Sequence, residues 1–90
     1  MSIMVEEAVV EASVGEELKK LRIWSKALEV PWSDPALVRK DRHGYLMRYS
    51  DYGDRASAFG WEIDPLIPVA LGGPEDEWNL EPLNSMMNKK

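Results

Sequence analysis

The sequence predicts an α+β domain in which an N-terminal helix and a small antiparallel sheet lead into a terminal unit of two extended runs and a helix. Three observations predict it. Apolar residues recur at three-and-four spacing through residues 16–30, the pattern turns extended at His43, and Trp61 to Asp64 alternate apolar and acidic after a glycine. Ninety residues fit one domain, and a chain this short buries only about 60% of the surface its unfolded form exposes. A partner, a second copy or a metal would supplement so small a core. There is no cysteine, which excludes both a disulfide framework and a cysteine zinc knuckle.

Residues 1–15 are Val, Ala and Glu without an aromatic residue or turn chemistry, and read as an acidic, flexible or nascently helical tail. Their short apolar stretch lacks a basic flank and is broken by Glu6 and Glu7, unlike a signal peptide or a membrane span. The expected address is the cytoplasm, with no membrane partner. Residues 16–90 are expected to form the single folded domain. Its first helix places Leu18, Leu21, Trp24, Ala27 and Leu28 on one face and Lys19, Lys20, Arg22 and Lys26 on the rest, with Ser13 and Glu16 as a capping box. Pro31 ends it, because proline lacks an amide hydrogen and restricts the residue before it.

Ser33-Asp34-Pro35 then reads as a new N-cap with proline in the first turn, introducing a short helical segment through Arg39. From His43 the run Gly44 to Tyr49 is strand-like and meets the turn residues Asp51, Gly53 and Asp54. In the second extended run, the two-residue period sets Trp61 and Ile63 on one face and Glu62 and Asp64 on the other. Gly72-Gly73-Pro74 makes a loop, residues 79–83 a short extended piece, and residues 84–90 the beginning of a helix.

Charge bears directly on function. The net charge is -5, with a balance of -3 over residues 1–38 and -2 over residues 39–90. Nucleic-acid binders usually carry a basic stripe that displaces counterions from phosphates, and neither half offers one. Tight non-specific DNA binding is therefore not expected. The aromatic residues, Trp32, Tyr45, Tyr49, Tyr52, Phe59, Trp61 and Trp78, read as core before they read as base-stacking platforms.

Residues 60–90 carry a resemblance. The run Gly60-Trp61-Glu62-Ile63-Asp64-Pro65-Leu66-Ile67-Pro68-Val69, then Gly72-Gly73, Asn79-Leu80-Glu81-Pro82-Leu83 and Asn88-Lys89-Lys90, resembles the HNH nuclease motif in its one-metal, ββα form. That form reads Trp-Glu-Ile/Val-Asp-His, a Gly-Gly loop, Asn-Leu-Gln-Pro-Leu, then a helix with Asn and a basic end. Upstream, Arg39-Lys40-Asp41, Gly44 and Asp51-Tyr52-Gly53 resemble the segment preceding the motif in a small bacterial subgroup. The resemblance implies a ββα-metal finger and metal-dependent hydrolysis of a phosphodiester. It implies Asp64 and Asn88 as ligands of Mg2+ or another divalent cation, and Asn79 as the structural asparagine that closes the loop.

The base of the family falls on Pro65. Proline has no titratable group and no side-chain acceptor, so it cannot take a proton from water, and losing a general base costs about 100- to 10,000-fold in rate. Proline does suit the end of a strand, where it fixes φ and biases the preceding residue toward extended backbone. Two residues could be taken for a substitute base, Glu62 on the same strand face as Asp64 and His43, the one histidine, but Glu62 reads first as a structural carboxylate and His43 as a surface or hydrogen-bonded residue. A lone Asp64 and Asn88 pair is low in charge, so the expected metal affinity without nucleic acid is weak. The expected function is a binding or regulatory module, partnered by protein more than by DNA, that keeps an HNH-like fold without its base. The alternative is an active endonuclease with a substitute base.

Overall fold

A computed structural model describes the backbone of residues 2–88 and the side chains of residues 13–88. The chain forms α1 (Ser2–Trp24), β1 (Leu28–Glu29), β2 (Val38–Lys40), β3 (Leu46–Arg48), β4 (Trp61–Pro65) and β5 (Leu80–Asn84), with 3-10 turns at Tyr49–Asp51, Val69–Leu71 and Glu77–Asn79. Strands β1, β2 and β3 make one antiparallel sheet and β4 with β5 a second, so the fold is a small α+β. No helix among the described residues is long and apolar enough to cross a membrane. The side chains of residues 1–12, where most of the expected tail falls, lie outside the described ones.

The helix differs from the reading of its sequence at both ends. Ser13 and Glu16 lie inside α1 and not at its start. At the other end α1 stops at Trp24, and Leu28 and Glu29 pair with Lys40 and Arg39 as an edge strand. Long-range hydrogen bonds end the helix before Pro31 does. Arg39 donates from Nη1 to the carbonyls of Ser25 (3.3 Å) and Ala27 (3.0 Å), and Lys26 Nζ donates to Leu80 O (2.8 Å) and to Glu77 O. These bonds fix the segment just after the helix to β2 and to the Glu77–Leu80 stretch, which sequence periodicity does not register, while the last helical carbonyls of Leu21, Ile23 and Trp24 accept from the amides of Ser25, Lys26 and Ala27. The buried face is also turned from the expected one. Ile23 and Trp24 are buried while Leu18 and Leu21 are half exposed.

The expected helical segment through Arg39 is a single turn. Asp34 Oδ1 accepts from Ala36 N (2.8 Å) and its carbonyl accepts from Leu37 and Val38, after which Val38, Arg39 and Lys40 pair with Arg48, Met47 and Leu46. Ladder pairing on both sides of β2 outweighs a cap signal that supports one turn alone.

The core is the place where both sheets meet the end of the helix. Trp24, Ala27, Met47 and Trp61 form one buried cluster with Tyr49 and Ile63 against it. The rings of Trp24 and Trp61 lie 4.9 Å apart, and Tyr49 meets Trp24 edge-on at 5.2 Å. Both indoles find acceptors, Trp24 at Pro35 O (2.9 Å) and Trp61 at Tyr49 O (3.2 Å). As the alternation predicts, Trp61 and Ile63 face this core, which leaves the opposite face of β4 for Glu62 and Asp64.

Candidate functional site

The face of β4 that carries Asp64 opens into a cleft of about 420 Å³ lined by Arg42, His43, Asp64, Pro65, Glu81 and Asn88, among others. Two structural devices shape it. One is the loop between β4 and β5, hung on Asn79, which is fully buried. Its Oδ1 accepts from Ile67 N (2.8 Å), and its Nδ2 donates to Ile67 O (3.1 Å) and Pro74 O (2.8 Å). Within that loop Gly73 is required, because a Cβ there would lie 1.7 Å from Ile67 O. Three side-chain bonds from Asn79 thus span the loop after β4, and Asn79 itself is not among the residues lining the cleft.

The second device is Asp41, which is also fully buried. Its Oδ1 accepts from the amides of His43 and Tyr45, both at 3.0 Å, and its Oδ2 accepts from Asn84 N (3.0 Å) and Asn88 Nδ2 (2.9 Å). One carboxylate thus ties the turn bearing Arg42 and His43 to the segment bearing Asn88. Where the sequence predicts the beginning of a helix over residues 84–90, Asn84 ends β5 and residues 85–88 form a hydrogen-bonded turn, residues 89 and 90 lying outside the described ones. Asn84 Oδ1 caps Met86 N (3.0 Å) and Met87 N (2.8 Å), and Asn88 N donates to Asn84 O (3.2 Å). Asn88 Nδ2 donates to Asn84 O (2.7 Å) as well as to Asp41, so its amide hydrogens are used and its carbonyl oxygen remains for a ligand.

Asp64, Pro65 and Asn88, separated by up to 24 positions in sequence, therefore line one cleft. His43 joins them, carried by the turn that follows Asp41. Its ring is exposed, 6.5 Å from that of Tyr45, and among the described residues it has no hydrogen-bond partner to fix its orientation. Glu62 takes no part. Its two oxygens accept from Arg55 Nε (2.7 Å) and Nη2 (3.2 Å), so that substitute base is committed to an ion pair.

Glu81 is the site residue that the sequence did not single out. It pairs with Asp64 across the β4–β5 ladder, and residues opposed in this way project to one face. Only 7% of its surface is exposed. Oε1 binds Arg42 Nε at 2.9 Å, whereas Oε2 is buried without a hydrogen-bond partner. Burial pushes its carboxyl up from the ordinary value, Arg42 and His43 pull it back, and Asp64 adds to the upward push. One signal was visible in the sequence. The pattern the chain resembles has a neutral glutamine where this chain has Glu81.

Among the described residues no three His, Asp or Glu side chains converge closely enough to hold a metal by themselves. What the cleft offers is the carboxylate of Asp64, the amide oxygen of Asn88 and an orphaned buried carboxylate oxygen on Glu81. This all-oxygen set suits a hard divalent cation such as Mg2+, which commonly takes one or two carboxylates and keeps water on its other positions. Comparison with protein-family models, curated proteins and solved structures finds no match for this chain.

Proposed function

We propose that this chain is an HNH-nuclease-like domain that has lost its general base and serves as a binding or regulatory module. The supporting observation is the content of the cleft. Asp64 and Asn88 line it together, and the side chain beside them at the end of β4 is Pro65. A divalent cation at Asp64 and Asn88 would supply electrostatic stabilisation of charge on a bound phosphate. The residues of the chain then orient such a group without deprotonating a water, since Pro65 accepts no proton and Glu62 is held by Arg55. The three bonds by which Asn79 holds the loop after β4 support a loss of chemistry within a retained architecture.

Protein is the partner we favour. The net charge is -5, and Arg42, the Lys or Arg side chain that lines the cleft, is already paired with Glu81. Exposed apolar side chains along α1, Val14, Leu18 and Leu21, fit a protein surface better than a phosphate backbone.

A second reading, an active divalent-metal-dependent DNA endonuclease, draws on the presence of His43 in the cleft. A catalytic base is usually oriented by a third group, and the imidazole of His43 has none among the described residues. Incubation of supercoiled plasmid with the protein and Mg2+ or Mn2+ separates the two. The first reading expects no nicking above buffer. Nicking lost in both His43→Ala and Asp64→Ala would establish the second.

A further inference from the structure

We propose that Glu81 is a ligand of a divalent cation, held between its Oε2 and Asp64 and completed by the side-chain oxygen of Asn88. This rests on the reading of the cleft as a cation site and extends it, because neither the sequence pattern nor the resemblance assigns Glu81 a ligand role. Three observations carry it. Asp64 and Glu81 stand directly opposite one another in the antiparallel ladder, an arrangement in which like charges repel. Glu81 is more than nine-tenths buried and Oε2 has no hydrogen-bond partner, whereas nearly all buried polar atoms in folded proteins have one. Arg42 compensates only one oxygen of the pair, at Oε1, and does so from an exposed position. A cation at Oε2 would satisfy the orphaned atom and remove the repulsion across the ladder in one step.

The chemistry of the donors selects the class of ion. Two carboxylate oxygens and one amide oxygen are hard ligands, suited to Mg2+ or Mn2+ and unsuited to soft, thiolate-seeking metals. Three protein ligands leave coordination positions for water or for an oxygen of a bound anion. The ion would thus sit on the floor of the cleft, with Arg42 and His43 at its rim.

Mn2+ is the probe, because its electron paramagnetic resonance signal reports the free ion directly. The intact 90-residue protein is titrated as wild type, Glu81→Gln and Asp64→Asn, with circular dichroism melts of each in the absence of metal. The expected result is one Mn2+ per wild-type chain and a loss of affinity in Glu81→Gln at least as large as the roughly tenfold drop that losing a mere supporting partner causes. Excess Mn2+ should raise the melting temperature of wild type but not of Glu81→Gln. A second measurement, on wild type alone, keeps the test independent of how the variants fold. Substoichiometric Mn2+ should broaden the nuclear magnetic resonance signals of Asp64, Glu81 and Asn88 before all others. Glu81→Gln binding Mn2+ as tightly as wild type, while Asp64→Asn does not, would overturn the role of Glu81 and leave the Asp64 cation reading standing. Broadening centred elsewhere, or no uptake by wild type at millimolar Mn2+, would overturn the site as a whole. Neither result bears on whether Pro65 abolishes hydrolysis, which plasmid nicking by Pro65→His decides separately.

Discussion

Replacing Asp41 with asparagine removes almost no volume but breaks the hydrogen-bond pattern at the junction that holds the cleft together. Asp41 accepts four hydrogen bonds, two at each oxygen, all from 2.9 to 3.0 Å, and has no exposed surface. An asparagine presents oxygen to one pair of donors and an amide to the other, so two bonds are lost and two donors are left facing a donor. Hydrogen bonds to a charged group contribute about 1.5 to 3 kcal/mol each. Allowing for relaxation, the expected loss is about 3 to 5 kcal/mol, a large share of the roughly 5 to 13 kcal/mol typical of a chain this size. At about 4 to 8 °C per kcal/mol, the melting temperature should fall by roughly 12 °C or more. Urea unfolding followed by tryptophan fluorescence is the assay, because Trp24 and Trp61 are buried in the core and Trp61 pairs with Asn84, which Asp41 holds. The midpoint should move with the slope unchanged, as for a loss of stability without a change in the surface exposed. A loss below about 1 kcal/mol would refute the assignment of Asp41 as the structural tie between the turn at His43 and the segment at Asn88.

Three further outcomes follow from the same structure. Asn79→Ala removes three side-chain bonds from a fully buried position and should destabilise by about 2 to 4 kcal/mol, with hydrogen exchange rising first at Leu66 and Ile67. Gly73→Ala forces its Cβ against Ile67 O and should likewise loosen the loop, seen as faster proteolysis between β4 and β5 while the core melts nearly as before. Burial, and then the hydrogen bond to Glu17, raise the Tyr49 hydroxyl well above its ordinary value of 10.0. A raised folded-state value means that the contribution is complete below the unfolded-state value and is lost as pH rises past it toward the folded one. Melting temperature should therefore fall above pH 10, more steeply in wild type than in Tyr49→Phe.

Much of the architecture was legible because it rests on local chemistry. The alternation of Trp61, Glu62, Ile63 and Asp64 placed the core face and the cleft face of β4 correctly, and the cap signal at Asp34 is a real turn. What failed did so for non-local reasons. Past Trp24 the chain is drawn away from the helix by Arg39 at Ala27 O and by the pairing of Leu28 and Glu29 with β2, and Val38 to Lys40 are strand because two neighbours pair with them. Of the site, Asp64 and Asn88 were singled out and the structure brings them to one cleft. Glu81 was missed because its significance lies in register: only the pairing of Asp64 with Glu81 makes a residue 17 positions away a neighbour. Asp41 belongs to a pattern visible in the sequence, yet its four donors come from two segments, residues 43–45 and residues 84–88, and no spacing reveals that the second meets it.

The central claim is that Pro65 is the lesion in an otherwise preserved site, and plasmid nicking by Pro65→His beside wild type tests it most directly. Circular dichroism first establishes that the variant folds like its parent, since the exchange also frees the backbone and supplies an amide hydrogen. The account predicts that wild type leaves supercoiled plasmid intact with Mg2+ or Mn2+, and that Pro65→His nicks it in a manner abolished by Asp64→Ala. Wild type that cuts efficiently, or a folded Pro65→His protein inert with every divalent metal, would contradict it.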